Sequence, residues 1–281
     1  MTHAYVRCTY PGLESAAWRI HQAHLKQPSK ETPVGTTTAL VTGSTSGIGR
    51  ATALKLARAG VRVIVSGRNA ERGLEVVEQI HAEGGKADFV AADLRDAQSA
   101  VELAARATQA AESAGGTLDI LVNNAAIGAG GPTAGTEEST FDAVLGTNLK
   151  APFYLVANLA PAMAARGGGA IVNVSTLAAE VALPGLSVYG ASKAALDLLT
   201  KSWAAEFGPA GVRVNSVRPG PTRTPGSEAL GEVLEQLAAQ APLGFIADPE
   251  DIAAVIAFLV SDEARFVTGV ILDADGGRTA V

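Results

Sequence analysis

The stretch Thr37-Thr38-Ala39-Leu40-Val41-Thr42-Gly43-Ser44-Thr45-Ser46-Gly47-Ile48-Gly49 decides the fold. A short apolar run, Ala39-Leu40-Val41, passes into a glycine-rich turn, and a helix rich in alanine and leucine follows. Strand, glycine turn and helix in that order suit a phosphate. One glycine allows the tight turn, one lets backbone N–H groups approach a pyrophosphate without a Cβ in the way, and one allows close helix–strand packing. The spacing is G-x-x-x-G-x-G, not the commoner G-x-G-x-x-G. Its position after the first strand predicts a dinucleotide site at Gly43, Ser46, Gly47, Ile48 and Gly49.

Further along the chain the same unit recurs. Val63-Ile64-Val65, Phe89-Val90-Ala91, Ile120-Leu121-Val122, Ile171-Val172-Asn173-Val174, Val212-Arg213-Val214 and Val270-Ile271-Leu272 are apolar runs separated by helical stretches. With the first run they predict an α/β fold: a single Rossmann-type, doubly wound domain whose seven-stranded parallel sheet is flanked by helices on both faces. No linker or composition shift divides 36–281, which reads as the dinucleotide-binding and catalytic domain. Residues 1–35 differ. They hold the only cysteine, Cys8, and three of the four histidines. Leu13, Ala17, Ile20 and Leu25 could line a short helix before Pro28, so the extension is either disordered or a docked arm.

The 281 residues, 47% hydrophobic and 18% charged, are enough for an ample core. A net charge of −6 argues against nucleic acid as the main partner. One cysteine excludes an internal disulfide framework and suits a reducing compartment. The longest apolar run, Ile252 to Val260, is too short to span a bilayer, and the N-terminus has no signal-peptide pattern. The expectation is a cytoplasmic protein with no membrane partner. No His/Cys/Asp cluster has metal-ligand spacing, so no metal is expected.

The end of the second strand selects the dinucleotide. An NAD site usually carries Asp or Glu there to accept from the ribose 2′-OH. Here Val65-Ser66-Gly67-Arg68-Asn69 holds no carboxylate, and Arg68 can pair with a 2′-phosphate. NADP (NADPH) is predicted over NAD.

Tyr189-Gly190-Ala191-Ser192-Lys193 sets a phenol and an ammonium four positions apart on one helix face. Tyrosine titrates near ~10, and lowering it toward ~7 takes roughly 4 kcal/mol. A unit charge at ~4–5 Å in a partly buried site supplies about that much.

Taken together, these residues resemble the short-chain dehydrogenase/reductase family. The motifs in order are TGxxxGIG at 42–49, Asp93-Leu94, Asn123-Asn124-Ala125-Ala126, Asn148, Ser175-Thr176, Tyr189-xxx-Lys193, Pro219-Gly220 and Asp275-Gly276-Gly277. The resemblance implies that Tyr189 is the general acid/base, that Lys193 lowers its pKa and holds the nicotinamide ribose, and that Asn148 holds a water in a proton path. It implies that Asp93 and Leu94 contact adenine, that Asn123 and Ala125 line the cofactor, and that Pro219, Gly220, Thr222 and Thr224 close over it. The substrate-polarising hydroxyl is implied thirteen residues before the tyrosine. That position is Thr176 where the family usually has serine, and Ser175 stands beside it. Adjacent strand residues face opposite sides, so one of the two serves; Thr176 is preferred and Ser175 is the alternative. Ala126 stands where the family often has glycine.

The expected activity is NADP(H)-dependent interconversion of a ketone and a secondary alcohol. The alternatives are a 3-oxoacyl-carrier-protein reductase and, in another class, a non-catalytic NADP-sensing protein. The segments 126–136, 178–188 and 221–245 are expected to set specificity for a small-molecule carbonyl or alcohol substrate. Family members usually pair through the helices before and after strand five, here 141–165 and 188–207, so a homotetramer is expected, or else a homodimer.

Overall fold

The structure, a computed structural model, describes residues 37–281. The extension 1–35, with Cys8 and the candidate helix before Pro28, lies outside the described residues. The strands are β1 (Thr37–Thr42), β2 (Arg62–Gly67), β3 (Ala87–Ala91), β4 (Thr117–Asn123), β5 (Gly169–Val174), β6 (Val212–Pro219) and β7 (Ile271–Ala274). All seven pair in parallel, in the order β3-β2-β1-β4-β5-β6-β7. The helices are α1 (Gly47–Arg58), α2 (Ala70–Ala82), α3 (Ala97–Ser113), α4 (Glu138–Leu145), α5 (Ala151–Ala165), α6 (Ser187–Phe207), α7 (Glu232–Ala239) and α8 (Pro249–Val260).

Consecutive strand side chains point to opposite faces, and both faces are covered. Leu40, Ile64, Leu121 and Ile171 enter one apolar cluster with α3, α5 and α6. Ala39, Val41, Val63, Val65, Val122 and Val172 enter another with α1, α2 and α8. All ten are fully shielded. That double burial is why the strands read as unbroken apolar runs and not as alternating ones.

Helix starts follow local chemistry. Asn69 caps α2 by accepting from Arg72 N at 2.9 Å. Asp96 caps α3 by accepting from Ser99 N at 2.8 Å, and Ser99 Oγ accepts from Asp96 N at 3.3 Å. Pro249 opens α8, where Asp251 accepts from Asp248 N at 2.9 Å. In α1, by contrast, Ser46 makes no side-chain cap and no acidic residue stands in the first turn.

Strand order reverses between β1 and β4, so the crevice for a ligand opens at their carboxyl ends. The helix read from sequence over 141–165 is not continuous. Gly146–Lys150 forms a π-helical turn between α4 and α5. A Cβ at Gly146 would fall on the Arg95 carbonyl oxygen, so the chain passes Arg95 only as glycine. The turn carries Asn148 inward to complete burial.

Alanine gains about 1 kcal/mol of helix propensity over glycine. Overpacking against a carbonyl that cannot rotate away costs roughly 1–3 kcal/mol. Gly146→Ala is therefore expected to lower Tm by a few degrees, since a domain of this size loses about 2–4 °C per kcal/mol. A thermal melt showing an unchanged or higher Tm would show that the α4–α5 junction yields freely.

Candidate active site

The carboxyl ends of β1 and β4 are laced together. Thr42 Oγ1 donates to Val122 O at 3.2 Å and accepts from Asn124 N and Ala125 N, both at 3.0 Å. Asn124 Nδ2 donates back to Thr42 O at 2.9 Å and Gly43 O at 3.1 Å. Gly43 and Gly47 take φ of 63° and 52°, the left-handed region that glycine tolerates. A Cβ on Gly43 would stand 2.8 Å from Ala125 Cα, and one on Gly49 would fall on the Gly43 carbonyl oxygen.

This turn leaves the first N–H groups of α1 uncapped beside a cavity of about 310 Å³. Gly43, Ser46, Gly47, Ile48, Arg68, Asp93, Leu94, Ala125 and Thr224 all line it. Arg68 is exposed there, and among the described residues its guanidinium has no hydrogen-bond or ion-pair partner. Unsatisfied helix N–H groups at one end and a free cation past β2 at the other fit the two phosphate groups of an extended dinucleotide.

Several expected cofactor residues lie elsewhere. Gly49 shapes the turn from behind. Asn123 is 2% exposed and donates through Nδ2 to Asn173 Oδ1 at 2.9 Å, because the strand's alternation turns it into the sheet. Asn124 takes the place expected for Asn123 and lines the cavity with Ala125. Thr222 is buried, its hydroxyl donating to Gly220 O at 2.9 Å, and Gly220 packs on Asp275. Neither these two nor Pro219, Tyr189 or Lys193 borders the cavity. Thr45, Gly67 and Thr147 do border it and carry no sequence signal beyond their proximity to a motif.

Beside the cavity, β5 ends and α6 begins. A Cβ on Gly190 would stand 2.6 Å from Ala178 O, so glycine lets α6 start against the 3₁₀ turn Leu177–Ala179. That approach sets Thr176 against the Tyr189 phenol. Burial pushes the phenol above its ordinary range, and the hydrogen bond with Thr176 offsets part of that. Ser175 is buried, its hydroxyl donating to Lys193 O at 3.4 Å, whereas Thr176 is partly open. Of the two hydroxyls, Thr176 is the one that meets the tyrosine.

Lys193 is 2% exposed and donates through Nζ to Val174 O at 2.7 Å. Burial lowers it to about 8, opposed by the charge of Asp197. The ammonium is thus engaged by a strand carbonyl, and in the protein alone burial is the largest influence on both groups. The Asn148 side chain is engaged within the fold. Its Oδ1 accepts from Ile127 N at 2.9 Å, and its Nδ2 donates to Ile127 O at 3.0 Å and Ser192 Oγ at 3.2 Å. Ser192 Oγ donates in turn to Tyr189 O at 2.7 Å. With both Nδ2 hydrogens engaged, Asn148 works as a tie between the cavity wall, which Ile127 lines, and α6.

Among the described residues no helix is long and apolar enough to cross a membrane, and no group of three His, Cys, Asp or Glu side chains could hold a metal.

Comparisons with known proteins agree with this architecture. Residues 43–279 match the family model described as enoyl-(acyl carrier protein) reductase. The cyclohexanol dehydrogenase of an Acinetobacter species is 40% identical over 248 residues, 86% of this chain and 94% of its own. The 3-oxoacyl-[acyl-carrier-protein] reductase of Thermotoga maritima is 37% identical over 239 residues, 85% of this chain and 96% of its own. Among solved structures, a short chain dehydrogenase/reductase family protein is 48% identical with a TM-score of 0.80, covering 89% of this chain and all (100%) of that one. An angucycline C-6 ketoreductase with bound NADP is 38% identical with a TM-score of 0.83, covering 87% of this chain and 96% of that one. The chain is an NAD(P)-dependent oxidoreductase acting on CH–OH groups, and it belongs to the short-chain dehydrogenase/reductase family.

Proposed function

We propose that the protein interconverts small neutral ketones and their secondary alcohols, with NADP(H) preferred to NAD(H). The observation that carries this reading is the meeting of Thr176, Tyr189 and Lys193 at the end of β5, tied through Asn148 to a glycine-lined cavity. A reduced nicotinamide bound there supplies the hydride. Tyr189 gives its proton to the substrate oxygen as negative charge develops. The Thr176 hydroxyl donates a second hydrogen bond to that oxygen, and the Lys193 ammonium adds positive charge nearby. Both Tyr189 and Lys193 are present, which argues against a non-catalytic sensor.

The preference for NADP(H) rests on the free guanidinium of Arg68 on the cavity wall and on the lack of a carboxylate at the end of β2. Related structures with bound NADP support it.

Cyclic or hydrophobic ketones are favoured over acyl-carrier-protein thioesters. The three specificity segments, 126–136, 178–188 and 221–245, carry Glu180, Glu228, Glu232 and Glu235 against Arg223 alone, and Arg223 faces Asp248 at 3.9 Å. An acidic surround repels an acidic carrier protein. It leaves the exposed Val233, Leu243 and Phe245 for apolar contact. The cyclohexanol dehydrogenase relative fits this reading, and the Thermotoga relative keeps the carrier-protein alternative in view.

Exposed Phe153 and Tyr154 on α5 and Leu198 on α6 support assembly through those helices as a homotetramer, or failing that a homodimer, which sedimentation distinguishes. The single cysteine supports a reducing cytoplasm.

Tyr189→Phe is expected to cut ketone reduction by at least ~10²-fold while NADPH still binds, as followed by its fluorescence. Turnover near the wild-type rate, or reduction of enoyl double bonds in place of ketones, would overturn the carbonyl reading. Arg68→Ala should shrink the NADPH-over-NADH ratio of kcat/KM by roughly 10–100-fold, the worth of a charge-assisted hydrogen bond. A wild type preferring NADH, or an unchanged ratio in the variant, would refute the cofactor assignment.

A further inference from the structure

Arg218 stands on β6 one residue before Pro219-Gly220, and its guanidinium reaches three other chain segments. Nε donates to Asp197 Oδ2 on α6 at 2.8 Å. Nη1 forms an ion pair with Glu180 Oε2 at 2.6 Å, just past the 3₁₀ turn that follows Thr176. The same Nη1 lies 3.6 Å from Asp273 Oδ1 on β7. Ser216 Oγ donates to the other Asp197 oxygen at 2.7 Å. Arg218 and Asp197 are 13% and 5% exposed at the side chain, whereas Glu180 is 53% exposed.

A simple staple between β6 and α6 would need one carboxylate. Three converge here on one cation, and buried ion pairs add little net stability. The arrangement gains its meaning from what it joins. Asp197 lies one helical turn beyond Lys193, and Glu180 lies four residues beyond Thr176. Rigidly planar and forked, a guanidinium can hold both at once in fixed directions, which an ammonium's rotating donors do not set.

We propose that Arg218 and Asp197 are positioning residues: the guanidinium pins the segment after Thr176 against the helix that carries Tyr189 and Lys193, and Asp197 supplies the buried counter-charge to the Lys193 ammonium. The inference rests on the proposed roles of Tyr189 and Lys193. Among the described residues, Asp197 on the same helix is the charged group that acts on Lys193, and Tyr189 stands one turn before it; Arg218 faces Asp197, with Glu180 and Asp273 against the same guanidinium. β5 presents the Val174 carbonyl and the Ser175 hydroxyl.

The test compares Asp197→Asn, Glu180→Gln and Arg218→Lys with Tyr189→Phe in the full chain. In Asp197→Asn the alkaline limb of kcat/KM for ketone reduction, set by Lys193 at about 8, should move down by about one pH unit, because an opposite charge that favours the ammonium is gone. Glu180→Gln should raise KM for the ketone about fivefold, the worth of one partly exposed ion pair, and should speed amide exchange over 177–188 in the cofactor-free protein. Arg218→Lys keeps the charge opposite Asp197 but not the fork. It should therefore retain the wild-type alkaline limb while showing the raised KM and faster exchange of Glu180→Gln. An unmoved limb in Asp197→Asn, or unchanged KM and exchange in both Glu180→Gln and Arg218→Lys, overturns the proposal. Should Asp197→Asn not fold, the last two variants decide it. If Tyr189→Phe keeps wild-type turnover, the underlying reading fails instead; if it is inactive while the other variants match wild type, only this inference fails.

Discussion

A lysine that is 2% exposed must be answered by its surroundings, and in this protein the answer organises the end of the sheet. Taking an ammonium out of water costs several kcal/mol unless it gains hydrogen bonds and opposite charge. Lys193 gains one bond from the carbonyl that closes β5 and long-range support from Asp197. The bond to Val174 ties α6 to the end of β5, and Leu196 and Trp203 on the same helix pack into the apolar cluster beneath it. Glycine at position 190 then lets the helix start close enough for Thr176 to reach Tyr189.

The other half of the site depends on a neutral clamp. Thr42 and Asn124 exchange bonds across the point where strand order reverses. They satisfy the backbone of a turn that would otherwise leave carbonyls without partners beside a cavity. The N–H groups of α1 are left unanswered, so the donors that remain are those facing the cavity. Asn148 joins the two halves by holding Ile127 on the cavity side and Ser192 on the helix side. The π turn that presents Asn148 begins at Gly146, which passes close to the Arg95 carbonyl. The glycine-lined cavity and the start of α6 are thus joined through one amide side chain.

Much of this was legible in the sequence. Runs such as Val63-Ile64-Val65 and Ile120-Leu121-Val122 announce strands buried on both faces, and seven of them announce the sheet. The glycine turn and the place of Arg68 on the cavity wall were legible for a similar reason: each follows from a few neighbouring residues at a strand end. What was illegible depended on direction. Asn123 and Asn124 are identical in type, and only strand alternation decides that the first faces the sheet and the second the cavity. The bond from Lys193 to the Val174 carbonyl could not be read from the spacing of Tyr189 and Lys193, because it joins α6 to β5. Arg218 stood in no motif, and its partners at 180, 197 and 273 meet only once the chain is folded.

Burial also gives the proposed chemistry a direction. A phenol held above its ordinary range stays protonated through neutral pH and is ready to give a proton to an oxygen that is gaining negative charge. Oxidation of an alcohol asks the same side chain to be a phenolate, which desolvation opposes. Lys193, lowered by burial to about 8, loses its charge before the phenol does as pH rises. Below about 8 the site holds a phenol and an ammonium together, which is the state that carbonyl reduction needs. A base at Tyr189 therefore works against burial, whereas an acid at Tyr189 does not.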